Sequence, residues 1–126
     1  MIMLTNANVF KQFATDGEFE KIVTYDNVTK MWQNSLKNYA NNVAIVDDGK
    51  SYTYQELDAQ ISYFRGVLAS KGIKAGDRVG LFLPNCALFA STFMAITTLG
   101  AVAVLLPAHL DDKTVFGCSL KFGLKP

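Results

Sequence analysis

The chain has 126 residues, half of them apolar and 18% charged, with a formal net charge of +1. That is one domain's length with enough apolar mass for a buried core, and its even spread of acid and base excludes the concentrated basic face a nucleic-acid partner needs. Two cysteines without CxxC spacing, Cys86 and Cys118, and a single histidine, His109, argue against a disulfide scaffold and a tetrahedral zinc site.

The opening MIMLTNANVFKQF has no positive stretch ahead of its apolar residues and no clear cleavage site, so it reads as a cytoplasmic start rather than a signal peptide. Residues 1–25 read as an irregular lead-in with a short helix near Val9–Phe13, and residues 26–126 as an α/β segment. Val28, Met31, Trp32, Ser35, Leu36 and Tyr39 recur at helical spacing, which predicts an amphipathic helix capped by Asp26 or Asn27 and ended near Asn41-Asn42. VAIV and SYT then flank Asp47-Asp48-Gly49-Lys50, and an Asp-Gly pair between β-prone segments predicts a tight hairpin.

Thr53 and Glu56 stand at the cap and third positions of the next helix, where each side chain can bind the other's free backbone N–H; Tyr52 and Leu57 could form a hydrophobic staple beside them. Leu57, Ile61, Phe64 and Leu68 continue that helix to its stop at Gly72. RVGLFL, Arg78–Leu83, reads as a short apolar strand covered on both faces, as in parallel sheets.

Residues 79–110 contain no Asp, Glu, Lys or Arg, so membrane span and protein interior must be told apart. A spanning helix needs roughly 20 uninterrupted apolar residues. Here Pro84-Asn85 and Gly100 bracket about fourteen residues, CALFASTFMAITTL, with four Ser or Thr among them and Asn85 as a candidate N-cap. AVAVLL follows as a second apolar strand, closed by Pro107. Strand, buried helix, strand is the better reading: a right-handed parallel βαβ unit with no membrane span. Asp111 or Asp112 can cap a last helix through KTVFGCSLKF to Gly123. The expected fold class is therefore α/β, a β-hairpin plus a βαβ unit forming a partial mixed or parallel sheet with flanking helices. An alternating protein would add another strand after that helix, so the pattern looks cut.

Candidate chemistry is sparse. GKS at Gly49–Ser51 resembles the end of a phosphate loop, but Ala44 stands where that motif needs glycine and a hairpin fits the site. Asp47 and Asp48 read as solvated turn formers rather than metal ligands. His109 follows a parallel strand, where α/β proteins often place functional groups, yet beside a proline it reads as structural. Cys86 opens a helix, a position that can activate a thiol; with no partner base in sight, it and Cys118 read as small buried hydrophobes. Phe89, Phe93 and Met94 read as core. No catalytic, cofactor-binding or metal residue is assigned.

The order of the pieces nevertheless resembles the amino-terminal region of the acyl-adenylate-forming (AMP-binding) superfamily, most of all its AMP-forming acyl-CoA synthetases. The resemblance rests on T-Y-x-E-L at Thr53–Leu57, G-I-x-x-G-D-R-V at Gly72–Val79, L-P-N at Leu83–Asn85 and L-G-A-V-x-V at Leu99–Val104. Leu106-Pro107-Ala108-His109-Leu110 departs from the family's commoner asparagine or aspartate followed by proline. The resemblance implies a parent ligase, in the cytoplasm, that adenylates a carboxylate with ATP and Mg²⁺ and passes the acyl group to CoA or a carrier thiol. It also implies that the phosphate loop, its lysine and the ribose-binding aspartate lie beyond Pro126. This segment would then be a scaffold, inactive and without bound cofactor on its own, partnered by the rest of the parent polypeptide and prone to self-association. An amino-acid-activating domain fragment and a free-standing interaction module are the rival readings.

Overall fold

The computed structural model describes residues 23–125. The lead-in to residue 22, with its expected helix near Val9–Phe13, lies outside the described residues. Residues 23–27 carry no helix or strand. Helix α1 (Val28–Tyr39) starts at Asn27, whose backbone is extended and whose side-chain Oδ1 accepts the Lys30 N–H at 2.9 Å. Its apolar stripe is only partly used: Trp32, Ser35 and Leu36 are half-buried, while Val28, Met31 and Tyr39 are exposed. Two later helices, α2 (Tyr54–Ser70) and α3 (Ala87–Thr98), pack against it. Trp32 Nε1 donates to Asp58 Oδ1 at 2.7 Å, and the Trp32 and Tyr54 rings lie 5.6 Å apart.

Strands β1 (Val43–Asp47) and β2 (Lys50–Thr53) pair antiparallel around a two-residue turn. Asp48 and Gly49 both take positive φ, 47° and 76°, as such a turn demands. The chain then enters α2 (Tyr54–Ser70) through the predicted capping box: Thr53 N–H donates to Glu56 Oε2 at 2.8 Å, and Glu56 N–H donates to Thr53 Oγ1 at 3.2 Å. Glycine ends the helix, with Gly72 at φ 79° and its N–H on the Ala69 carbonyl.

The charge-free tract folds as strand β3 (Arg78–Phe82), helix α3 (Ala87–Thr98) and strand β4 (Val102–Leu106), with β3 and β4 parallel and in register from Arg78↔Val102 to Phe82↔Leu106. Among the described residues no helix is long and apolar enough to cross a membrane. The hairpin and the parallel pair remain two separate two-stranded sheets. Helix α4 (Asp112–Phe122), capped by Asp111 and stopped by Gly123 in the left-handed region, completes the order.

Helix α3 is the centre of the core. Ile96 packs with Ile73, Leu81 and Ala101 towards the parallel pair, and Ala95 packs with Leu57 and Ile61 towards α2. Three of its hydroxyls are satisfied locally: fully buried Ser91 donates to the Ala87 carbonyl at 3.1 Å, and Thr97 and Thr98 donate to the Phe93 and Met94 carbonyls one turn back. That local pairing is how an almost uncharged helix carries hydroxyls at no desolvation cost.

One expectation about this unit needs correction. The parallel pair is not covered equally on both faces. Val79, Leu81 and Ala103 face the α3 side, whereas on the other face Leu106 is buried but Phe82 and Val102 remain 38% and 48% exposed. After α4 the chain passes β3: Lys125 N–H donates to the Arg78 carbonyl at 2.9 Å, and a Cβ on Gly80 would meet Leu124 Cδ1 at 2.7 Å. Residues 124–125 thus begin to line the edge of β3.

Candidate functional site

Both apolar strands stop at a proline. Proline removes a backbone donor and disfavours continued pairing, so the chain leaves the sheet at Pro84 and Pro107 side by side. The result is a crevice of about 350 Å³ at the carboxyl ends of β3 and β4. Leu83, Pro84 and Asn85 form one wall, Leu105, Leu106, Pro107 and Ala108 the other, and Phe89 of α3 the back. Outside the carboxyl ends of parallel strands is where open α/β sheets hold small ligands.

The helix behind the crevice does not start where the sequence suggested. Asn85 is not the cap; Cys86 occupies that position in extended backbone, and its thiol makes no capping bond. The acceptor comes from the hairpin. Asp47 Oδ2 receives the Ala87 N–H at 2.9 Å, so Asp47 is a half-buried tie across the fold rather than a solvated turn residue. Exposed Asp48 remains a turn former. Beside this tie lies a wider groove of about 580 Å³, lined by Asp47, Tyr52, Gln60, Tyr63, Phe64 and Leu88 among others. Lys50 covers the Tyr52 ring, its Nζ 4.7 Å from the centroid.

The other candidates separate cleanly. His109 is exposed in the turn after β4 and does not line the crevice, although its neighbour Ala108 does. Cys86 and Cys118 are free and half-buried. Phe93 and Met94 are core residues as expected; Phe89 stacks on Phe93 with centroids 6.3 Å apart but also faces the crevice. The Gly49–Ser51 stretch is hairpin, with no helix following a loop.

Nucleotide phosphates demand cationic or clustered backbone donors, and their metal demands carboxylates. Neither cavity is lined by a lysine or arginine, and among the described residues no three His, Cys, Asp or Glu side chains come close enough to hold a metal ion. The residues present do not fit a nucleoside triphosphate or its metal. Among the described residues, two carboxylates with displaced titration do structural work instead. Backbone and side-chain hydrogen bonds from Thr53 hold Glu56 below its ordinary value, and the Thr114 hydroxyl and N–H do the same for Asp111.

A βαβ unit opening a crevice at its strand ends, beside a capped hairpin–helix unit, defines an α/β segment. The chain belongs to the family of AMP-binding enzymes, whose model matches residues 32–119. It is 39% identical over 86 residues to triostin synthetase I of Streptomyces triostinicus, covering 68% of this chain and 16% of that protein. To acetyl-coenzyme A synthetase of Bartonella quintana it is 29% identical over 116 residues, covering 87% of this chain and 17% of that protein. The fold superposes on the N-terminal domain of FACL13 from Mycobacterium tuberculosis with a TM-score of 0.74 and 29% identity, over 80% of this chain and 26% of the other. The chain therefore spans about a sixth of the length of these curated relatives.

Proposed function

We propose that this chain is a scaffold segment of an AMP-forming acid–thiol ligase in the cytoplasm. The observation that carries the reading is the family match over residues 32–119, which runs from inside α1 through most of α4 and so takes in the hairpin and the βαβ unit. In the complete reaction ATP and Mg²⁺ would activate a carboxylate as its adenylate, and CoA or a carrier thiol would accept the acyl group. Cavity linings that include no lysine or arginine support assigning the phosphate and metal work to other parts of the parent polypeptide. Within this chain the role is then architectural: to present the strand-end crevice and to seal the core beneath it.

Assayed on the 126 residues, ATP–pyrophosphate exchange is expected to stay at background; turnover above background overturns the scaffold role. A Ser/Thr/Gly-rich phosphate loop encoded after Pro126 supports the ligase, whereas a stop codon there favours a free-standing interaction module. The second reading is an amino-acid-activating domain; identities of 39% to triostin synthetase I and 40% to acyl-CoA ligase sidI of Beauveria bassiana do not rank it against the first. Pyrophosphate exchange by the full-length parent, supplied with amino acids or with simple carboxylates, separates the two.

A further inference from the structure

The amino end of α3 is built unlike those of its neighbours. In α1, α2 and α4 the residue at the cap position supplies the acceptor itself, as Asn27, Thr53 and Asp111. In α3 that position is Cys86, which supplies none, and the acceptor is Asp47, 40 residues earlier in the chain. The carboxylate is aimed by its surroundings. It ends β1, directly before the Asp48-Gly49 turn whose two positive φ angles fix the chain direction, and it is half-buried against Ala87, itself only 3% exposed. A negative group is favoured there because the first N–H groups of a helix have no partner within it and carry partial positive charge.

That first turn is shared. Ala87 and Leu88 line the groove beside Tyr63, while Asn85 and Phe89 line the crevice at the strand ends. The loop Leu83–Asn85 hangs between the end of β3 and this pinned turn, so the position of Ala87 sets the position of the crevice wall. We propose that Asp47 is a positioning residue for the crevice: by accepting the Ala87 N–H it holds the start of α3 and, through it, the Leu83–Asn85 wall. The inference goes beyond the ligase reading and is tested on this chain alone, so the failure of either leaves the other standing.

The test is amide hydrogen exchange and backbone chemical shifts by NMR on the 126-residue chain. Asp47→Ala is expected to speed exchange at Ala87 by about five- to tenfold, the usual scale for losing a helix cap, and to move the resonances of Leu83 and Asn85. Leu81 and Ile96, deep in the core, are expected to be unaffected. Asp47→Asn, which keeps an acceptor oxygen and drops the charge, is expected to restore protection; Asp48→Asn is expected to change nothing at Ala87. Unchanged exchange at Ala87 overturns the proposal. So does equal acceleration at Ala87, Leu81 and Ile96, which is a plain loss of stability, or an asparagine variant that behaves like the alanine one. Should Asp47→Ala not fold, Asp47→Glu decides: displaced Leu83 and Asn85 resonances support the proposal, and unmoved ones overturn it.

Discussion

Gly100 shows how one residue without a side chain can hold two elements in register. It follows α3 at φ 82°, and a Cβ there would sit 3.1 Å from Ala75 Cβ. Its carbonyl accepts the Gly76 N–H at 2.9 Å, which joins the start of β3 to the start of β4 before the ladder begins. An L side chain in this backbone region costs about 1–2 kcal/mol from its own sterics. Gly100→Ala is therefore expected to lower the unfolding free energy by at least about 1 kcal/mol, with urea denaturation as the measurement. The capping box gives a second prediction at this scale. Thr53→Ala is expected to cost about 1 kcal/mol by loss of the cap. Glu56 adds a pH signature. Its folded value is lowered by the Thr53 hydrogen bonds, so its contribution is complete above the ordinary glutamate range and fades as pH falls through the folded value. Below pH ~4.3 the wild type is expected to lose stability more steeply than Glu56→Gln, and denaturation midpoints across the acid range check the difference.

Among the elements, α3 carries the largest single contribution to the core. Ile96 is fully buried between the parallel pair and the loops before and after it. Ile96→Ala removes two methyl groups and a methylene from a fully buried site and is expected to cost about 2–5 kcal/mol. Leu120→Ala on α4, where the side chain is 69% exposed, is expected to stay within about 0.5 kcal/mol. The same contrast explains what the sequence made legible. The Asp48-Gly49 turn, the Thr53–Glu56 box, the glycine stops at Gly72 and Gly123 and the strand–helix–strand tract are each decided by neighbours within a few positions. Periodicity and turn chemistry record such short-range choices. Asp47 with Ala87 and Trp32 with Asp58 lie 40 and 26 residues apart, and no local pattern marks either pair. The start of α3 was misplaced for that reason: Asn85 is the better cap by residue type, but an acceptor from another element makes a local cap unnecessary. The crevice was legible only as two prolines after two strands; its walls depend on the parallel register.

For the whole molecule the decisive feature is apolar surface that the described residues leave open. Phe82 and Val102 face away from α3, and Phe116, Leu120 and Phe122 on α4 are 65%, 69% and 41% exposed. Beyond Val102–Leu106 no further strand pairs with β4 among the described residues. An unpaired strand edge beside exposed apolar side chains favours pairing with another copy. The 126-residue chain is accordingly expected to associate as its concentration rises through the micromolar range, read by light scattering or sedimentation. A charge at an exposed position tests the mechanism without disturbing the core: Val102→Lys and Leu120→Glu are expected to weaken association while leaving the unfolding midpoint nearly unchanged. A wild-type chain that stays monomeric throughout that range would count against the open face as an association surface. Association that both charged variants leave intact would move the contact elsewhere, away from the side of the parallel pair that α3 does not cover.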